Sequence, residues 1–206
     1  MPFYRNISST QDDLIFIHIP KTGGSYISNQ LDKSAENVLT NRIYHHNISR
    51  HYTLEDIQSF NEIRINSTFI FTLIRNPISK IISTYYFFKN CKILFPEMDM
   101  YLDFVEKTMS EKTYLDYNYL MSFLKENRID LNHFRPQVEF VQSEILRIHC
   151  YRLESQLKEI SDLLSSKYSV DISQLNFRNN HFDKITDSQK ERIRDLYKED
   201  FDYFNY

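Results

Sequence analysis

Residues 14–26 read LIFIHIPKTGGSY, and the rest of the chain is organised around them. The protein has only two glycines in 206 residues, and they stand side by side here as Gly23 and Gly24. Glycine is favoured where the backbone must turn tightly or come close to another group that a Cβ would meet. The pair therefore predicts a tight backbone feature that holds a ligand.

The residues on either side of the glycines predict a strand, a loop and a helix in that order. Residues 14–19 are apolar and largely β-branched, which is typical of a strand buried on both faces of a parallel sheet. Pro20 has no N–H for the sheet and ends the strand. Residues 25–31 can then form a helix whose amino terminus faces the loop.

This geometry predicts an anion site. The amino terminus of a helix presents backbone N–H groups and the positive end of the helix dipole. The Lys21 ammonium and the hydroxyls of Thr22 and Ser25 are close in sequence. A phosphate or a sulfate is the expected ligand. An ordinary turn with a solvated lysine is the alternative, because a glycine-rich match is weak on its own.

A second buried strand is predicted at residues 68–74, TFIFTLI. Two such strands separated by helical patterns predict an α/β fold, with a central parallel sheet flanked by helices. Ligands in these sheets bind beyond the carboxyl ends of the strands. Lys21 and Arg75 follow the two strand ends, so we expect both cations at one edge. Ser83 lies on the next predicted helix, two turns after Arg75.

The remaining patterns predict further helices and a third strand. The helices are expected at residues 53–60, from residue 77, at 100–109, 114–127 and 155–168, and after a capping box at Thr186 and Gln189; the strand is expected at 145–151. In the helix at 114–127, the side chains predicted to face inward are Leu115, Tyr119, Met121 and Leu124.

Length and composition exclude several classes of function. A chain of 206 residues predicts a single domain, 1–206. The net charge of -3 supplies no general field for nucleic acid or for an anionic membrane. No apolar run has the length of a transmembrane helix, and the amino terminus lacks the apolar core of a signal peptide. We therefore expect a soluble, cytoplasmic protein that does not bind nucleic acid.

The position of the lysine argues against a standard kinase or ATPase. The nucleoside-triphosphate loop places its lysine after the second glycine, in G-x-x-x-x-G-K-[ST]. Here the lysine precedes both glycines, in PKTGG. Two alternatives stay open: a kinase-like enzyme with an atypical loop, and a nucleotide-binding module that has lost catalysis.

Two motifs resemble the sulfotransferases that use 3′-phosphoadenosine 5′-phosphosulfate, in particular the carbohydrate sulfotransferases and their small bacterial relatives. HIPKTGGSY, residues 18–26, resembles their 5′-phosphosulfate loop, and IRNPISKIISTYYF, residues 74–87, resembles their 3′-phosphate motif. The tail, residues 151–160 and 185–206, is more loosely similar. Ser25 replaces the threonine more common in the family and keeps the hydroxyl.

The resemblance implies a P-loop-type sulfotransferase fold and the transfer of a sulfuryl group to a hydroxyl on a carbohydrate or a small molecule. The product would be adenosine 3′,5′-bisphosphate, and no metal would be required. The residues that the resemblance assigns to the donor are Lys21, Thr22, Gly23, Gly24, Ser25, Tyr26, Arg75 and Ser83.

Transfer also needs a base for the acceptor proton, and histidine suits this task at neutral pH. HYTLEDI, residues 51–57, resembles the stretch of the uronyl 2-O-sulfotransferases that carries their histidine base, so His51 is our candidate. His45 and His46 are its competitors. Arg135 and Gln137 lie in a proline-containing loop that could face the acceptor, although a structural turn is an equal alternative there.

Overall fold

The computed structural model describes residues 3–5, 13–34, 36–37, 51–58, 68–90, 95–127, 129–143, 146–175 and 184–206. The chain forms two compact units. The first unit contains residues 1–75 and 139–177, and the second contains residues 76–138 and 178–206. The prediction of a single functional domain stays a prediction.

The sheet belongs to the first unit. Its strands are β1 (Phe3–Arg5), β2 (Asp13–Ile17), β3 (Glu36–Asn37), β4 (Thr68–Ile74) and β5 (His149–Arg152), in the spatial order β3-β1-β2-β4-β5. Strands β2, β4 and β5 are parallel, which confirms the predicted α/β class. Strand β1 is antiparallel to both of its neighbours, so one side of the sheet departs from the all-parallel prediction.

The helices are α1 (Gly24–Ser34), α2 (Leu54–Gln58), α3 (Pro77–Asn90), α4 (Met98–Ser110), α5 (Tyr117–Asn127), α6 (Val138–Val141), α7 (Leu157–Tyr168), α8 (Asp187–Leu196) and α9 (Lys198–Phe204). Every helix in the described part of the chain is too short or too polar to cross a bilayer.

The register of the two central strands sets the position of the loop after β2. Ile17 pairs with Thr72, and the Thr72 hydroxyl also donates to the Ile17 carbonyl at 2.7 Å. The two strands therefore end at the same edge of the sheet. Helices α1 and α7 pack on one face of the sheet, and the buried side chains that join them to it are Leu14, Phe16, Ile27, Leu31, Phe71, Leu73, Tyr151, Ile160 and Leu164.

The second unit is helical, and its helices begin where the capping residues indicate. The Asn76 side chain accepts from the Ser79 N–H at 3.3 Å, and Pro77 opens α3. The apolar stripe of α3 is buried, at Ile78, Ile81, Ile82 and Tyr85. The capping box of Thr186 and Gln189 is also present at the start of α8.

The predicted helix at 114–127 is interrupted, and two of its side chains do not face inward. The backbone of Lys112 is in the left-handed region, and a 3-10 turn follows at Thr113–Leu115. Helix α5 begins only after Asp116, whose side chain accepts from the Tyr119 N–H at 3.0 Å. The break changes the helical phase, so that Leu115 is 53% and Tyr119 45% exposed. The described side chains do not include Met121 and Leu124.

Candidate active site at the β2–α1 loop

The loop after β2 turns through two residues with positive φ. Lys21 has φ 65°, and Gly23 has φ 87°. Helix α1 begins directly afterwards, and its first backbone bond runs from the Tyr26 N–H to the Gly23 carbonyl at 3.1 Å. Since a helix leaves its first N–H groups outside the helical ladder, the loop and the start of α1 present donors to one point.

The two glycines are required for different reasons. At Gly23 the backbone is left-handed, and an added Cβ would lie 3.2 Å from Cδ2 of Leu175. At Gly24 an added Cβ would lie 2.0 Å from Cδ2 and 2.4 Å from Nε2 of His18. Gly23 therefore permits the turn, and Gly24 permits the ring of His18 to lie against the start of α1.

The side chains of the loop and of the first turn of α1 differ in their exposure to solvent. Thr22 is wholly buried, and its hydroxyl donates to the Ile19 carbonyl at 2.9 Å. The hydroxyl therefore stabilises the turn by an internal hydrogen bond. The sequence predicts instead that this hydroxyl contacts the anion. Ser25 is exposed at the first turn of α1, Lys21 is half-buried, and Tyr26 packs partly against the core.

Arg75 meets the loop, as the strand-end argument predicts. It directly follows β4, is 7% exposed, and its Nη1 donates to the Lys21 carbonyl at 3.1 Å. The contact ties the end of β4 to the left-handed residue of the loop. Lys21 and Arg75 therefore lie together at the edge of the sheet where β2 and β4 end.

His51 lies beside the same loop. Its Nδ1 donates to the carbonyl of His18 at 2.7 Å, because a carbonyl can only accept, and the two rings meet edge to face with centroids 4.7 Å apart. The residues that follow are fixed by a reciprocal cap. The Thr53 N–H donates to the Asp56 carboxylate at 2.7 Å, and the Asp56 N–H donates to the Thr53 hydroxyl at 3.1 Å. The His18 carbonyl therefore holds the ring of His51, and the cap of α2 holds the backbone two residues after it.

His18 belongs to this site, although sequence patterns predict no functional role for it. It is 4% exposed, as expected of a core histidine. Its neighbours, however, are the parts of the site: the ring lies against Gly24 and His51 and stacks on Phe16 at 5.9 Å. Its position next to the Pro-Lys-Thr-Gly-Gly turn is the one sequence signal that could have identified it.

The remaining predicted residues lie elsewhere in the chain. Ser83 is half-buried on α3 in the second unit. His45 and His46 lie outside the described residues. Their roles stay predictions.

Arg135 and Gln137 belong to a segment that the second unit holds firmly. Gln137 is wholly buried, and its backbone and side-chain N–H groups donate to Asp200 at 2.9 and 3.3 Å. Arg135 is half-buried, its guanidinium lies 5.8 Å from the centre of the Tyr114 ring, and its carbonyl accepts from Lys80 Nζ at 3.0 Å. These contacts give both residues a structural role, and contact with an acceptor stays a prediction.

Lys80 and Asp200 are both fully buried in the second unit. Burial lowers the pKa of Lys80 to about 8, although the Asp200 carboxylate acts in the opposite direction. Burial likewise raises the pKa of Asp200, against the attraction of Lys80 and of the N–H groups of Gln137 and Val138. The loss of water outweighs the attraction between the two groups, as is usual for buried ion pairs.

The fold and the site define an α/β protein with a P-loop-like strand–loop–helix unit. This unit consists of β2, a loop in which a lysine precedes two glycines, and the helix that starts at Gly24. Residues 5–206 match the model of the sulfotransferase family, and the chain belongs to that family. No curated protein and no solved structure matches the chain at a significant level. Family membership assigns to the chain the general reaction of a sulfotransferase, in which a sulfuryl group passes from a sulfate donor to an acceptor hydroxyl.

Proposed function

We propose that the protein transfers the sulfuryl group of 3′-phosphoadenosine 5′-phosphosulfate to a hydroxyl of a carbohydrate. The observation that carries the proposal is the contact of Arg75 Nη1 with the Lys21 carbonyl at 3.1 Å. It brings the residue proposed for the 3′-phosphate to the loop proposed for the 5′-phosphosulfate. The proposed donor carries anionic groups at the 3′ and 5′ positions of one adenosine. Such a ligand suits a site with two cationic residues that follow the ends of neighbouring strands.

The loop would bind the 5′-phosphosulfate chiefly through its backbone. The N–H groups of Thr22, Gly23, Gly24 and Ser25 precede or open α1, and the helix dipole adds to their attraction for an anion. Thr22 would contribute its N–H alone, because its hydroxyl donates to Ile19. The Ser25 hydroxyl, which is exposed, would add a further donor, and Tyr26 would support the start of the helix.

Lys21 would stabilise the charge that develops on the leaving group. As the bond between sulfur and the bridging oxygen breaks, negative charge grows on that oxygen and on the 5′-phosphate. An ammonium near this position favours the transition state more than the ground state. In the same step, the acceptor oxygen forms a bond to sulfur and loses its proton.

His51 would take the acceptor proton at Nε2, because Nδ1 donates to the His18 carbonyl. Arg75 and Ser83 would hold the 3′-phosphate. The acceptor would meet His45, His46 and Arg135, while the wholly buried Gln137 would hold its segment through its hydrogen bonds to Asp200. A carbohydrate acceptor rests on the resemblance of the motifs to carbohydrate sulfotransferases, and on no contact in the described residues.

The test is the transfer of label from radiolabelled 3′-phosphoadenosine 5′-phosphosulfate to a panel of unsulfated oligosaccharides, phenols and tyrosine peptides. We expect a labelled oligosaccharide, and the loss of this product in Lys21→Ala and in His51→Ala. Lys33→Ala and His149→Ala are matched controls, because both residues are exposed, Lys33 in the last turn of α1 and His149 at the first residue of β5. Label on phenols or peptides alone would contradict the carbohydrate acceptor, and activity retained in His51→Ala would move the base to another group.

A further inference from the structure

The carbonyl of His18 is available to a side chain because the strand has already ended. Strand β2 stops at Ile17, so that residue 18 lies outside the sheet ladder while still following the direction of the strand. The Ile17 carbonyl accepts from the Thr72 hydroxyl, and the His18 carbonyl accepts from His51 Nδ1 at 2.7 Å. The end of β2 thus supplies a fixed acceptor to His51.

This contact determines which nitrogen of His51 carries the proton in the neutral ring. A neutral imidazole has one N–H donor and one acceptor nitrogen. Since Nδ1 donates to a carbonyl, Nε2 is the nitrogen with the lone pair. The backbone of His18 therefore fixes the tautomer in which Nε2 can accept a proton.

The ring of His18 fixes the position of His51 with respect to the loop. One part of the ring lies where a Cβ of Gly24 would stand, 2.0 Å from Cδ2. The ring also meets His51 edge to face, with centroids 4.7 Å apart and an interplanar angle of 71°. At 4% exposure, it has little room to move. The buried ring of His18 therefore lies against both the start of α1 and the imidazole of His51.

We propose that His18 is a positioning residue of the transfer reaction: its carbonyl holds His51 in the Nδ1–H tautomer, and its ring sets the distance between His51 and the anion loop. This inference rests on the proposed function, in which His51 is the base. It also explains why Gly24 has no side chain, since a Cβ there would displace the ring.

The direct test is a long-range proton–nitrogen correlation spectrum of the imidazoles in the nitrogen-labelled full chain, at a pH where His51 is neutral. His51→Ala identifies the His51 signals, and the exposed His149 serves as an internal reference. We expect the Nδ1–H tautomer for His51. The Nε2–H tautomer at His51 would overturn the inference, even if the protein proved to be an active sulfotransferase.

The kinetic test compares His18→Ala with His18→Gln and with the control His149→Ala, using the radiolabelled donor and the oligosaccharide panel. Removal of the ring should lower kcat roughly 100-fold, since small displacements of a catalytic group have effects of this size. The dissociation constant for adenosine 3′,5′-bisphosphate should change much less. Glutamine, which keeps a planar group, should restore part of kcat, and wild-type kcat in His18→Ala would overturn the inference.

The two proposals fail in different ways. If the wild-type protein neither binds adenosine 3′,5′-bisphosphate nor transfers label, the proposed function is wrong, and the tautomer of His51 still tests the geometry. If the wild-type protein is active but His18→Ala is equally active, the function stands and the positioning role is wrong. If His18→Ala does not fold, His18→Gln and the wild-type spectrum still decide the matter.

Discussion

Each unit of the protein has a lysine that takes part in a hydrogen bond between a cationic side chain and a backbone carbonyl, but the two lysines play opposite parts in it. In the first unit, Lys21 is half-buried and its own carbonyl accepts from Arg75. In the second unit, Lys80 is fully buried and its ammonium donates to the carbonyls of His133 and Arg135 at 3.1 and 3.0 Å. The fold uses the ammonium of Lys80, whereas the proposed function assigns the ammonium of Lys21 to the sulfate donor.

The first prediction separates the two lysines by activity. Lys21→Ala should lower kcat by roughly 10³-fold, the order found when a group that stabilises developing charge is removed. Its free energy of unfolding should change by less than about 1 kcal/mol, because alanine keeps the carbonyl that accepts from Arg75. A turnover assay measures the change in kcat, and urea denaturation measures the change in the free energy of unfolding. Lys33→Ala, on the exposed side of α1, is the control, and a Lys21→Ala enzyme with normal turnover would remove Lys21 from the mechanism.

The second prediction concerns the partner of the buried lysine. Asp200→Ala should lower the free energy of unfolding by about 3–5 kcal/mol, since it leaves a buried charge on Lys80 and removes the acceptor of the Gln137 and Val138 N–H groups. Urea denaturation measures the loss. Asp202→Ala is the matched control, because Asp202 is exposed and its pair with Lys198 lies in water. Equal losses in the two variants would show that the buried network does not stabilise the unit.

The third prediction uses pH. The pKa of Lys80 is about 8 in the folded protein, below its usual 10.5. Between these values the unfolded chain holds a proton that the folded protein has released, so the free energy of unfolding should rise with pH by up to roughly 3 kcal/mol from this group. Below pH 8 both states hold the proton and the slope from Lys80 vanishes. Lys80→Met should lack the rise, and parallel pH curves for the two proteins would contradict the assignment.

The fourth prediction compares the two glycines within the loop. Gly24→Ala should lower the free energy of unfolding by roughly 1–3 kcal/mol through overpacking against His18. Gly23→Ala should lower it by roughly 1–2 kcal/mol through left-handed strain. In a His18→Ala background, the loss caused by Gly24→Ala should become smaller, whereas the loss caused by Gly23→Ala should stay the same. A double-mutant cycle measures this difference, and additive losses for His18 and Gly24 would show that the two groups do not compete for space.

Sequence patterns predicted the elements whose signal is local. Residues 68–74 were predicted as a strand and form β4 with those bounds, because an uninterrupted apolar run needs no distant information. Strand β1, with three residues, is too short to show a period and was not predicted. The break at residues 112–116 was missed because the apolar residues continue through it, although Asp116 is a recognisable cap.

The candidate site could be predicted to the extent that strand ends determine it. Lys21 and Arg75 follow the ends of two strands, and the parallel register brings them together. The contact between His18 and His51 could not be predicted, because it joins residues that are 33 positions apart in the sequence. The burial of Asp200 against Gln137 depends in the same way on contacts across 63 positions of sequence.

The central claim is that Arg75 and the β2–α1 loop grip the two anionic ends of one nucleotide, and calorimetric titration tests it most directly. The wild-type protein should bind adenosine 3′,5′-bisphosphate roughly 10- to 100-fold more tightly than adenosine 5′-phosphate, since a hydrogen bond to a charged group contributes about 1.5–3 kcal/mol. Arg75→Ala should abolish this preference, while its effect on the loop cancels in the ratio. Equal binding of the two nucleotides by the wild-type protein, or an unchanged preference in Arg75→Ala, would contradict the account.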